Sequence, residues 1–212
     1  MKNIACFLGD FYHAHDDYLT FLREVLENQP DIELTDYPLA DLGRILEEKP
    51  DLIIFSLENR LNPEERNVLT WLTDELDEKI EQFVAQGGAW LALHAGMSCY
   101  PENSKYIHSV LKGYFVEHFE QTIVHYEESG KERFSFLDEH YFVNVQEKET
   151  TILMRSSSNQ GKSIALWRHE YFDGKVVCYT PTHTQEGFKD KANQKELLIQ
   201  ILWCIEKLRG AF

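Results

Sequence analysis

Apolar residues recur along this chain in two rhythms. Short unbroken runs at 3–8 (NIACFL), 51–56 (DLIIFS) and 89–93 (AWLAL) read as strands buried on both faces. Between them, apolar positions fall at helical spacing. Tyr18, Leu19, Leu22, Val25 and Leu26 predict a first helix that stops before Pro30. Weak alternation over 32–37 predicts another strand, and 40–48 a short helix closed by Lys49-Pro50. The longest helical pattern runs through Val68, Trp71, Leu72, Leu76, Ile80, Phe83 and Val84. Asn62 reads as its N-cap, Pro63 as its first position and Gly87-Gly88 as its end.

Strand and helix alternate through this first half, which implies βαβ units and a parallel sheet. The stretch 114–155 changes character. Tyr, Phe, Val and Thr stand among acids in short alternating runs such as 121–126, as expected of an antiparallel insertion or sheet edge. Residues 163–168 and 175–180 predict a hairpin around Asp173-Gly174. A final amphipathic helix uses Leu197, Leu198, Ile201, Leu202, Ile205 and Leu208, with Asn193 and Glu196 spaced like a capping box. No repeat or linker interrupts the chain, so residues 1–212 read as a single α/β domain.

Composition narrows what such a domain does. The 212 residues carry 36 acids against 21 bases, a formal charge of −15. That field repels phosphate backbones and anionic lipid, so neither nucleic acid nor a membrane is expected as a partner. No signal-peptide h-region and no membrane-length apolar run is present. Cys6, Cys99, Cys178 and Cys204 lack C-x-x-C spacing and suit reduced thiols, so a cytoplasmic location is expected. The acidity is carried by residues 1–86 and 117–149. Residues 87–116 and 150–212 are near neutral or basic.

Ligands of open α/β sheets bind beyond the carboxyl ends of the strands. There the sequence places Asp10, Tyr12, His13 and His15; then Glu58, Asn59 and Arg60; then His94-Ala95-Gly96; then Thr182-His183-Thr184. The sharpest feature is GGAWLALHAG at 87–96. A buried strand runs straight into a polar residue followed two positions later by Gly, as in a nucleophile elbow. His94 stands where such an elbow carries its nucleophile. Cys99 lies five residues on, which argues against a Cys-dependent glutaminase.

That segment is followed in order by Tyr106 with LKGYFVEH at 111–118, DEHYF at 138–142, Trp167 with YFDGKVVCYTPTHT at 171–184, and ILWCIEKL near the end. Together these resemble the ThuA-like (trehalose utilisation) family across nearly the whole chain. Trp90, where the family usually has a small residue, and a less basic turn near Gly174 are departures with little bearing on fold. The resemblance implies a three-layer α/β sandwich with a mainly parallel central sheet and an antiparallel embellishment. This is the class I glutamine amidotransferase-like, flavodoxin-related fold. It also implies a role in carbohydrate metabolism of the trehalose or keto-sugar type.

On that basis His94, Glu139 and His183 are the expected catalytic residues. His94, His118 and His183 are the expected ligands should a divalent metal such as Zn²⁺ bind. Tyr12, His13, Tyr106 and Trp167 are expected to contact a sugar or sugar derivative. The reaction would be that of a hydrolase, lyase or isomerase, with a homo-oligomer allowed. No nucleotide cofactor is expected, because Gly9-Asp10 belongs to no phosphate-loop motif. The alternative is a non-catalytic sugar-binding or scaffolding module that has lost the amidotransferase nucleophile.

Overall fold

The structure is a computed structural model and describes residues 1–206. Its centre is a nine-stranded sheet whose strands lie side by side in the order 32–36, 2–8, 52–56, 89–93, 174–179, 161–171, 151–158, 122–128 and 131–138. The strands β1 (Lys2–Leu8), β2 (Ile32–Asp36), β3 (Leu52–Ser56), β4 (Ala89–Leu93) and β11 (Gly174–Tyr179) pair in parallel. Beyond β11 the sheet continues antiparallel through β10 (Gly161–Tyr171), β9 (Thr151–Ser158), β6 (Thr122–Glu128) and β7 (Lys131–Asp138). A separate two-stranded ribbon joins β5 (Gly113–Glu117) to β8 (Phe142–Val145). The expected antiparallel embellishment is thus mostly an extension of the main sheet.

Period-two alternation feeds two apolar layers. Ile4, Cys6 and Leu8 of β1 point into one, Ala5 and Phe7 into the other; β3 and β4 divide likewise. The first layer is closed by α1 (His15–Leu26) and, after the short α4 (Gln185–Lys189), by α5 (Lys191–Ile205), through Tyr18, Phe21, Leu22, Leu197 and Ile201. The second is closed by α2 (Leu42–Glu48) and α3 (Asp74–Ala85) through Ile45, Ile80 and Phe83. Sheet with helices on both faces is the expected three-layer sandwich.

Two local expectations are corrected. The helix read from Asn62 begins only at Asp74, and its N-cap is Thr73, whose hydroxyl accepts from the Leu76 N–H. Tertiary bonding captures the preceding segment. The Trp71 indole donates to the Glu58 carbonyl, the Trp71 and Leu72 N–H groups donate to Asn59, and Asn62 binds backbone of its own loop. Trp71 is buried against Phe55, while Val68 of the same apparent stripe is exposed. In α5 the cap is Asp190, which accepts from the Asn193 N–H at 2.8 Å. Asn193 lies inside the first turn, bonded to Tyr179 and the Gly187 carbonyl. Leu208 lies outside the described residues. Among the described residues no helix is long and apolar enough to cross a membrane.

Candidate functional site

The chain leaves β4 in the strained turn expected of an elbow. His94 adopts φ +44°, a left-handed conformation that costs a non-glycine residue about 1–3 kcal/mol. Gly96 is obligatory two residues later, because a Cβ there would stand 2.2 Å from the Phe55 carbonyl oxygen. The Tyr106 hydroxyl braces the turn from below by donating to the Gly96 carbonyl at 2.7 Å.

Three further strand ends converge on this elbow. After β1, Gly9 (φ +80°) turns the chain so tightly that a Cβ would meet the His15 Cβ at 2.5 Å. That turn delivers Asp10 and His13. After β11 comes His183, and after β7 comes Glu139. The β7 end is tied to the His183 loop, since the buried Asp138 carboxylate accepts the His183 N–H at 2.8 Å. One nitrogen each from His13, His94 and His183 and one oxygen of Glu139 lie within 4.8 Å of one another.

Hydrogen bonds on the far side of two rings settle which nitrogen faces the cluster. The His94 Nδ1–H donates to the Thr180 carbonyl at 2.6 Å, leaving Nε2 as a lone pair turned inward. The His13 Nδ1–H donates to Asp10 at 2.5 Å, again leaving Nε2 inward. Carbonyl and carboxylate partners of this kind orient imidazoles that bind metals. His13 Nε2, His94 Nε2 and His183 Nδ1 are all buried with no hydrogen-bond partner. The Glu139 carboxylate sits 3.5 Å from the His94 and His183 nitrogens, beyond good hydrogen-bond range.

Electrostatics disfavour a proton on two of the rings. Burial pushes the His94 imidazole below its ordinary range, and burial with the neighbouring His94 pushes His183 to about 4. Burial would raise Glu139, but the pull of His94, His183 and His118 outweighs it and holds the carboxyl at about 2. Asp10 is likewise held low; bonds from His13 and from the Glu58 and Tyr12 N–H groups overcome its burial. Asp138, fully buried, is instead raised to about 7. Three imidazoles and one carboxylate form a donor set that suits a borderline divalent ion.

The cluster opens into a cleft of about 360 Å³ lined by Tyr12, Glu58, Arg60, Phe115, His118 and Tyr141, among others. His118 stands apart from the four donors. Its Nδ1 bonds the Phe119 carbonyl, and its Nε2 lies 3.7 Å from Glu139. His13, expected to bind substrate, lies instead within the four-residue group. Tyr12 is half exposed on the cleft wall, as a substrate contact requires.

Tyr106 and Trp167 do not line the cleft. Both are fully buried in the second apolar layer, Tyr106 beneath the elbow and Trp167 with its indole bonded to the Leu111 carbonyl. Neither can offer a ring face to a ligand. Tyr141, overlooked in the sequence, is stacked on His94 at 4.0 Å; its place two residues after Glu139 was the available signal. Cys99 reaches the cleft, but burial pushes its thiol to about 11, so it supplies no thiolate.

Known proteins repeat this architecture. A ThuA-like protein from Parabacteroides merdae ATCC 43184 superposes with a TM-score of 0.69 over 100% of this chain and 92% of its own, at 13% identity. One from Bacteroides uniformis ATCC 8492 gives 0.70 over 99% and 93%, at 16% identity. The chain also matches 31% of Gan42B, a GH42 beta-galactosidase from G. stearothermophilus, with a TM-score of 0.67 over 100% of this chain and 10% identity. At such identities these likenesses speak for the fold. No curated protein matches the sequence. The ThuA family model, described as trehalose utilisation, matches residues 15–204, from the start of α1 almost to the end of α5. With the fold shared and nearly the whole chain matched, the protein belongs to the ThuA family.

Proposed function

We propose that His13, His94, Glu139 and His183 hold a divalent metal ion of the Zn²⁺ kind, and that the protein acts on a sugar derivative in the adjoining cleft. One observation carries the reading: three buried imidazole nitrogens point at one carboxylate, and none has a partner. Leaving such groups unpaired costs about 1–3 kcal/mol each, a cost that a shared cation removes. Thr180 and Asp10 hold two of the rings in the tautomer a metal needs.

A metal bound there polarises a carbonyl or acidifies a water. The chain's own contribution is to place and move protons beside it. His118, fixed at Nδ1 and half exposed, presents Nε2 to the cleft next to Glu139, as a general acid or base requires. The family's description supports a carbohydrate substrate. Hydrolase, lyase and isomerase reactions at a sugar carbonyl all fit this equipment. The unpaired cysteines Cys6, Cys178 and Cys204, buried in the core, support a reducing, cytoplasmic location.

Elemental analysis of protein purified without chelator tests the reading. One transition-metal ion per chain is expected, falling to background in His94→Ala. A full-length, folded protein that neither carries nor takes up Zn²⁺, Mn²⁺ or Fe²⁺ would overturn the metal centre and favour a binding module.

A further inference from the structure

The cleft contains a second set of polar atoms that the metal centre does not use. After β3 the chain places Glu58 and Arg60 two residues apart on the wall. The Glu58 side chain is only 3% exposed, and its backbone N–H is fixed by Asp10 at 2.9 Å. Both Arg60 Nε (3.2 Å) and Arg60 Nη2 (2.6 Å) donate to Oε2 of Glu58. The other oxygen, Oε1, is buried without a hydrogen-bond partner. The nearby Cys99 thiol is a weak donor. Arg60 retains further N–H donors. Its guanidinium carbon lies 6.0 Å from the centre of the Tyr12 ring, which is itself half exposed to the cleft.

We propose that Glu58 and Arg60 form a hydroxyl-recognition subsite for an unphosphorylated sugar ring, with Tyr12 as its apolar platform. The inference rests on the reading of the cleft as a sugar site. A carboxylate oxygen and guanidinium N–H groups side by side match a vicinal diol. One hydroxyl donates to Oε1, and its neighbour accepts from Arg60. Charge disfavours a phosphorylated ligand. Arg60 is the one cation lining the cleft among the described residues, and Glu58 already neutralises it. Asp10 and Glu139 add negative charge that a divalent ion in the metal centre balances.

The test is saturation-transfer NMR and titration of the Zn²⁺-supplemented protein with trehalose, glucose, galactose and mannose. The mono-deoxy analogues of any sugar that binds, and glucose 6-phosphate, complete the set. The parent is expected to bind a neutral sugar and to lose about tenfold or more in affinity for at least one deoxy analogue. In Glu58→Gln the affinity for the full sugar should fall about tenfold, and the sugar-to-deoxy ratio should approach one. Metal content should stay at the parent level. Arg60→Met, a change at a more exposed side chain, should show the same loss and covers the case in which Glu58→Gln melts early. Unchanged affinity and deoxy discrimination in a folded variant would overturn the subsite while leaving the sugar site standing. No binding of any neutral sugar to the parent would overturn both. Tighter binding of glucose 6-phosphate than of glucose would overturn the assignment to an unphosphorylated ring.

Discussion

His140 and the histidines at the strand ends are all largely buried, yet their ring nitrogens are treated in opposite ways. In the antiparallel part, His140 is 1% exposed, and both of its ring nitrogens are bonded, to Ser158 at 2.8 Å and Ser156 at 3.0 Å. At the carboxyl ends of β1, β4 and β11, His13, His94 and His183 each keep one buried nitrogen with nothing to bond. Burial pushes His140 and His183 alike to about 4, so a depressed imidazole by itself distinguishes nothing. What differs is the accounting of donors and acceptors. The satisfied ring is a structural pin, whereas the convergent, unsatisfied rings form a donor set that could hold a cation.

The contrast can be broken by substitution. His94→Ala should bring metal content from one ion per chain to background, the largest effect expected here. His140→Ala should leave metal content unchanged and cost about 1–3 kcal/mol in denaturant melts, because two serine hydroxyls lose their partner. If His140→Ala stripped the metal as well, the separation of the two regions would fail.

Chelation sharpens the same contrast. Dialysis against EDTA should lower the melting temperature, and Zn²⁺ should restore it. Saturating ligand at about a hundred times Kd is worth about 2.7 kcal/mol. The His94→Ala protein should not respond.

Acid should act on both regions. An imidazole held at about 4 when folded, against an ordinary value near 6.5, takes up its proton more readily in the unfolded chain. Its stability contribution is therefore present above about 6.5 and is lost as pH falls toward 4. His140, His169 and His183 act together in this window. Asp138, raised to about 7, works the other way, its contribution fading as pH rises from about 4 to 7. The three imidazoles outnumber it, so melting temperature should drop between pH 7 and 5, with metal released over the same range. The smallest effect is expected of Cys99→Ser, which should leave metal content and melting within error, because the protonated thiol serves neither region.

Much of this was legible in the sequence because it depends on near neighbours. Unbroken apolar runs must be strands covered on both faces, and 3–8, 51–56 and 89–93 became β1, β3 and β4 in the parallel centre. The elbow could be read locally too, since the buried strand 89–93 runs straight into His94-Ala95-Gly96 with a glycine two positions after the polar residue. His94 and His183 stood out because strand ends are where an α/β sheet presents polar groups, whereas Glu139 was legible only through the family resemblance.

Other features could not be read locally. The apolar stripe 68–84 fits one helix by spacing, yet Glu58 and Asn59, brought close by β3, hold Trp71 and Leu72 in a loop. Tyr106 and Trp167 look as available for stacking as Tyr12 until packing buries two of the three. That His13 rather than His118 groups with His94, Glu139 and His183 turned on which ring nitrogens converge within a few ångströms. Spacing along the chain does not encode that quantity, because loops after β1, β4, β7 and β11 meet only once the sheet and its turns are complete. The sequence by itself determined the layers, the strands and the elbow, whose causes are local sterics and apolar periodicity. The tertiary structure alone decided which polar atoms meet and which of them remain unpaired.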